Sequence, residues 1–167
     1  MYMGHFGIAI GSRKWLRPLP MAWLLFASVE PDLHAALGSV IPALGIGPDT
    51  HTLPGIACAA IIIGVLTALF FRSYRLALGA AALVVSHLAA DLVTSRVLLW
   101  RNGPSAGLHL YGVHWADFTL ETAIVCAGLY LYSTASDLRR PTRVKLVVMG
   151  GVLITLQAVW NFGFGSN

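Results

Sequence analysis

The chain has 167 residues, of which 57% are hydrophobic and 11% charged, and its mean hydropathy is +0.74. An ordinary soluble domain carries about 25% charged residues, so 11 basic and 7 acidic side chains cannot furnish a water-facing surface of the usual kind, and the same composition excludes a disordered chain. The net charge of +4 and pI of 9.4 do not indicate nucleic-acid binding. The basic residues fall in short clusters between apolar runs (Arg13, Lys14, Arg17; Arg72, Arg75; Arg139, Arg140, Arg143, Lys145), which is the pattern of charge-biased membrane topology.

In chain order, the expectation is an all-α, polytopic transmembrane helical bundle. It forms a single integral-membrane domain over residues 1–167, with the motifs in 1–95 and the C-terminal spans within 118–162. Residues 1–10 are expected to form a short helix that dips into the membrane or packs on the bundle. The apolar stretch 6–10 is too short, and its basic residues follow it, so a cleavable signal peptide is not expected. Segments 19–29 and 35–46 are apolar around Pro31. Proline removes a backbone donor and disfavours helix in the residue before it, so this region reads as a broken crossing. About four clear spans follow: 52–71, free of charge; 76–100, apolar except for His87, Asp91 and Arg96; 118–132, with Glu121 near its start; and 146–162, with Gln157 and Asn161. Each of the first two is long enough to cross a bilayer. The long runs do not alternate as barrel strands would, and an open sheet is not viable in lipid. Small residues, among them Gly64 and Ala68, allow close helix approach. Cys58 and Cys126 lie in apolar runs with no CxxC, which gives neither a zinc ribbon nor a redox pair.

Basic residues favour the cytoplasmic side. With the Arg13–Arg17 cluster inside and one crossing per run, nine of the eleven basic residues fall inside, and Arg96 and Arg101 fall outside. Trp100, Tyr111 and Trp115 then fit an outer aromatic belt.

Charge at mid-bilayer costs about 2.5–3.5 kcal/mol on insertion scales. Five of the seven acidic residues nevertheless lie in or beside the apolar segments: Glu30, Asp32, Asp91, Asp117 and Glu121. His5, His34, His51, His87 and His114 cluster in the same places. Ser86-His87-Leu88-Ala89-Ala90-Asp91 puts imidazole and carboxylate four apart on one helix face, and Thr94 continues that face. Such a pair can grip one metal ion, with Zn²⁺, Fe²⁺ or Mn²⁺ the suitable ions, or it can be a structural pair between helices. Glu30-Pro31-Asp32-Leu33-His34 offers three more potential ligands. In the favoured topology, His5, Asp32, His51, His87 and Asp91 converge toward the outer leaflet. His114, Asp117 and Glu121 share a helical face and read as interfacial groups or as partners behind the ligands. Gln157 and Asn161 are expected to hydrogen-bond across helices. Gly103-Pro104-Ser105-Ala106-Gly107 matches G-x-S-x-G but lacks the strand-to-helix setting of a nucleophile elbow, so a serine hydrolase is not expected.

Gly4-His5, Pro31-Asp32, Thr50-His51-Thr52 and His87-Leu88-x-x-Asp91 with Thr94 occur in an order that resembles the bacterial inner-membrane group of membrane-bound metal-dependent hydrolases, including its LexA-regulated members. The resemblance covers roughly residues 1–95. Its His-Leu-x-x-Asp element is matched fully. Three elements depart from it: Gly4-His5 stands for Thr-His, Pro31-Asp32-Leu33-His34 for Pro-Asp-x-Asp, and Thr50-His51-Thr52 for His-Arg-Gly-x-Thr-His-Ser.

The resemblance implies a metal-dependent hydrolase in a bacterial inner membrane. His5, Asp32, His51, His87 and Asp91 would hold one or two divalent ions, zinc first and manganese or iron next. Glu30 would act as general base, and His34 as a further ligand or proton shuttle. A site at outer-leaflet depth implies a membrane lipid or lipid-linked substrate, a phosphoester among the candidates. The competing readings are a proton or metal-ion transporter built on the same His/Asp cluster, or a small membrane scaffold without catalysis.

Overall fold

The computed structural model describes residues 2–41, 48–135 and 143–164. Arg139, Arg140 and residues 42–46 of the expected apolar segment 35–46 lie outside the described residues. The elements, in order, are α1 (Met3–Ser12), α2 (Met21–Val40), a 3-10 turn (Pro48–His51), α3 (Leu53–Phe71), α4 (Tyr74–Thr94), a two-strand ribbon of β1 (Val97–Leu98) and β2 (Ser105–Ala106), a 3-10 turn (Leu110–Gly112), α5 (His114–Ser133), and α6 (Arg143–Val159), which runs on into a π turn (Trp160–Phe164). The described residues are helical apart from the ribbon and the connecting turns. Among them, three helices are long and apolar enough to cross a membrane: Leu53–Phe71, Tyr74–Thr94 and Arg143–Gly163. α5 has 20 residues but is not among them, since its inner face carries carboxylates.

The packing is inverted relative to a water-soluble bundle. Ile61, Ile62, Val65, Leu69, Phe70, Leu78, Val147 and Val148 are exposed, whereas His5, Ser28, His87, Asp91, Thr94, Asp117, Glu121 and Gln157 are buried. Exposed apolar area on this scale marks contact with something other than water. The apolar core joins α1 to α4 through small and branched residues, including Ala9, Leu24, Ala27, Ala59, Ala60, Ile63, Ala80 and Val84. α1 is packed on the bundle, lying against α5 and α2. Its contact with α5 is backbone on backbone: a Cβ on Gly7 would strike the Val125 backbone, and one on Gly128 would strike the Gly7 carbonyl.

Three expected boundaries are corrected. The helix break expected at Pro31 is not there, because α2 runs through it from Met21 to Val40, and α2, like α5, is not among the helices long and apolar enough to cross. A proline costs its helix one hydrogen bond, but stopping there would strand several backbone groups in an apolar setting, where neighbouring groups can instead serve the freed carbonyls. The expected 76–100 span stops at Thr94, where Ser95 turns the backbone to an extended conformation. Residues 97–98 then pair with 105–106 in antiparallel register, Val97 opposite Ala106 and Leu98 opposite Ser105. An apolar run alone does not distinguish a helix end from a short strand. Likewise α5 begins at His114, four residues before the expected start, because its polar first turn faces inward.

The basic turns share one end of the molecule. A Cβ on Gly79 in α4 would meet Leu16, and Trp23 at the start of α2 donates to Thr67 Oγ1 near the end of α3 at 2.9 Å. The turns holding Arg13–Arg17 and Arg72–Arg75 are therefore neighbours. Tyr2 lies at the other end, beside Tyr111 and Trp160.

Candidate metal centre

α4 presents His87 and Asp91 one turn apart on its inner face, both buried. At 1.5 Å per residue they lie ~18–24 Å along the helix from Arg75, while His5 lies ~12 Å along α1 from Arg13 and Asp32 ~16 Å along α2 from Met21. α1, α2 and α4 therefore deliver their donors toward the end opposite the basic turns. The 3-10 turn before α3 supplies His51. Thr52 closes that turn, its hydroxyl donating to the Asp49 carbonyl at 2.6 Å and accepting from Gly55 N–H at 3.3 Å as the N-cap of α3.

All five expected ligands come together. His87 Nε2 lies 3.2 Å from Asp91 Oδ2, 3.6 Å from Asp32 Oδ1 and 3.2 Å from His51 Nε2. His51 Nε2 lies 3.0 Å from Asp32 Oδ1 and 3.8 Å from Asp91 Oδ2. Donors held at the Zn–N and Zn–O distances of about 2.0–2.1 Å in a tetrahedral array stand ~3.3 Å apart. The five separations, from 3.0 to 3.8 Å, bracket that edge length. Asp91 also turns its Oδ1 toward His5 Nε2 at 3.4 Å. The His5 ring stacks on His87 at 3.8 Å with the planes 8° apart. Two three-donor groups result, His5–His87–Asp91 and Asp32–His51–His87, sharing His87.

Hydrogen bonding prepares the imidazoles. His87 Nδ1 is 2.9 Å from the Ser28 carbonyl. A carbonyl can only accept, so Nδ1 carries the proton and the Nε2 lone pair faces the other donors. That carbonyl belongs to the turn of α2 that Pro31 loosens. Ser28 Oγ donates to the His5 carbonyl at 2.8 Å, so one residue braces two ligands. His51 Nδ1 meets Thr50 Oγ1 at 3.1 Å, which can hold its proton in the same way. Among the described residues both His5 ring nitrogens are buried without a well-formed hydrogen bond, Asp91 Oδ1 standing 3.4 Å from Nε2. A neutral imidazole left so pays a desolvation cost that ligation would offset. Three converging imidazoles, two of them buried and His87 held in one tautomer, together with two carboxylates can hold a metal ion.

The expected catalytic pair stands apart from these groups. His34 Nδ1 lies 2.5 Å from Glu30 Oε1, one turn along α2. The two are partners of each other, and neither belongs to either donor group. Glu30 Oε2 is buried without a partner, and His34 is half-exposed.

α5 and α6 carry a second polar cluster. Glu121 accepts from the Tyr2 and Gly4 backbone N–H groups at 2.9–3.1 Å and so caps the start of α1 from across the bundle. Asp117 Oδ2 accepts from Asn161 Nδ2 at 2.8 Å, and Gln157 bonds Asn161 at 2.6 Å and the Met3 N–H at 3.3 Å. Asp117 and Glu121 thus stand behind α1, the helix that carries His5. Ser105 of the G-x-S-x-G match is in β2, and Gly107 (φ +135°) sits where a Cβ would strike the Ser95 carbonyl. These glycines serve a tight return of the ribbon.

A cavity of about 380 Å³ opens beside the donors, lined by Asp32, His51, Thr52 and Asp91 together with Tyr2, residues 95–98 and Tyr111. Sequence reasoning placed Arg96 and Tyr111 only as charges and aromatics of an outer loop. What could have found them is the short distance from Asp91 to Arg96. Comparison with protein-family models, with curated proteins and with solved structures gives no match.

Proposed function

We propose that the protein is a metal-dependent hydrolase embedded in a bacterial inner membrane as a multi-pass bundle, acting on a membrane lipid or lipid-linked ester. The observation that carries this reading is the convergence of His51 and His87 Nε2 on carboxylate oxygens of Asp32 and Asp91 at 3.0–3.8 Å, with His5 on the other oxygen of Asp91. The order of motifs that resembles the inner-membrane hydrolase group supports it independently. A divalent ion, zinc first, supplies Lewis acidity and an acidified water when bound there.

The protein's own residues do the rest. His87 is held in one tautomer by Ser28. Asp91 spans from His5 to His51. Asp32, half-exposed, borders the cavity through which substrate enters. The Glu30–His34 pair joins a buried carboxylate to a half-exposed imidazole; it does not line the cavity, so its proposed proton-handling role is relay to the exterior and not contact with substrate.

The transporter reading is less well supported. Between the donors and the basic turns, the interior of the described residues is filled by Leu24, Ala27, Ile63, Ala80 and Val84, whereas the cavity beside the donors lies toward the opposite end. Metal analysis of the purified protein tests the proposal. Wild type should carry about one divalent ion per chain, and His87→Ala should carry little. Equally low metal in both would overturn it, and liposome flux dependent on Asp91 without ester cleavage would favour transport.

A further inference from the structure

Arg96 is the cationic side chain in the lining of the cavity beside the donor cluster. We infer that Arg96 makes this cavity an anion site, and that the substrate class is a phosphate ester whose phosphate lies in the cavity within reach of the guanidinium. The inference rests on the metal-centre reading and specifies its substrate.

Charge balance is the first argument. Asp32 and Asp91 bring two negative charges, and His5, His51 and His87 as neutral ligands bring none. A divalent ion cancels the carboxylates, leaving Arg96 as the net charge of the cavity. Among the described residues Arg96 has no ion pair or hydrogen bond through its side chain, whereas Arg101 in the same ribbon lies 3.9 Å from Asp49. A neutral carboxylic ester offers nothing to answer that charge. A phosphate does, and the planar guanidinium matches its oxygens in pairs.

Positioning is the second argument. Arg96 is tied to the ligand helix itself. Ser95 N–H and Ser95 Oγ both donate to the Asp91 carbonyl, at 2.7 and 2.9 Å. Val97 is buried and pairs with Ala106, and Leu53 N–H at the start of α3 donates to the Leu99 carbonyl at 3.0 Å. The backbone on both sides of Arg96 is therefore fixed relative to Asp91 and to the α3 entrance that carries His51. Tyr2 and Tyr111 add phenolic groups to the lining.

Size is the third argument. A cavity of about 380 Å³ lies toward the small end of ligand pockets, about 300–1,000 Å³. It holds a phosphate headgroup and leaves acyl chains outside, along the exposed apolar helix faces. A soluble phosphoester offers the same chemistry.

The test uses zinc-loaded protein in detergent micelles and measures binding of phenyl phosphate, of dioctanoyl phosphatidic acid and of dioctanoylglycerol to wild type, Arg96→Ala and Arg96→Lys. Zinc content should be the same in all three proteins. Both phosphates should bind Arg96→Ala about ten-fold or more weakly than wild type, with Arg96→Lys recovering part of the loss, as expected for a charge-assisted contact. Dioctanoylglycerol should not discriminate between the variants. Tighter binding of phosphatidic acid than of phenyl phosphate identifies a lipid headgroup, and equal binding a soluble phosphoester. Phosphate affinities within two-fold of wild type in zinc-loaded Arg96→Ala would overturn the inference while leaving the metal centre standing. A wild type that takes up no zinc would overturn the metal-centre reading beneath it.

Discussion

The bundle buries two polar clusters, and they are built on opposite principles. In the cluster of α5 and α6, acceptors meet donors at every group but Asp117 Oδ1. Glu121 receives backbone N–H groups from Tyr2 and Gly4, Asp117 receives the Asn161 amide, and Gln157 serves both Asn161 and Met3. In the cluster of α1, α2 and α4, acceptors meet acceptors. His87 has spent its proton on Ser28, and its Nε2 faces two carboxylate oxygens and a second imidazole nitrogen within 3.6 Å. Such a crowd of lone pairs is favourable only around positive charge. A proton can satisfy one edge of it, whereas a metal ion satisfies all the donors at once. Burial of polar groups therefore does not distinguish structure from function in this protein; the count of protons available to them does.

Removing one donor from each cluster breaks the comparison most directly. Asp91→Asn should abolish stoichiometric metal uptake. A chelator should then lower the thermal stability of the wild type but leave that of Asp91→Asn unchanged. A ligand present at a thousand-fold over its Kd stabilises by about 4 kcal/mol, and this sets the expected difference. Equal chelator responses would mean that a proton occupies the cluster. Glu121→Ala should behave in the opposite sense. It strands the N–H groups that begin α1, and should cost about 2–3 kcal/mol of stability, read as a lower thermal midpoint, while metal content at saturating metal is retained. Loss of metal in proportion to that of Asp91→Asn would place Glu121 in the metal centre rather than behind it.

How much of this was legible in the sequence follows from where each feature is encoded. The apolar runs of α3, α4 and α6 declare themselves by length, and the His87–Asp91 pair by helical spacing. The convergence of His5, Asp32 and His51 on that pair was legible through the alternation of basic turns, which puts their ends on one side, together with the motif order. Three features were not. Pro31 carries the signature of a break, and only the surrounding bundle makes it cheaper to continue α2. Residues 97–100 are apolar enough to extend α4, and pairing with residues 105–106, set by a turn and not by hydropathy, decides otherwise. The position of Glu30 and His34 was read from proximity along the chain, but both side chains leave the α2 face that carries Asp32, because two residues on a helix are about 200° apart.

The remaining predictions concern Ser28 and Pro31, and they test how the proton on His87 is fixed. Ser28→Ala removes the hydroxyl bond to the His5 carbonyl and leaves the Ser28-position carbonyl, so His87 keeps its anchor. The expected cost is about 1 kcal/mol, with metal affinity changed less than about three-fold. Pro31→Ala changes no ligand and no side-chain hydrogen bond. It restores a backbone N–H to α2, closing the turn around Ala27 and drawing the Asp32 N–H toward the Ser28 carbonyl in competition with His87. Helix stability should rise, since proline inside a helix costs about 3 kcal/mol. Metal affinity should fall by about ten-fold, the lower range for loss of a ligand's outer hydrogen bond. Titration of both variants with zinc, alongside their thermal midpoints, separates the two effects. A Pro31→Ala protein that is more stable and binds metal as well as wild type would show that the Ser28 carbonyl serves His87 without help from the proline.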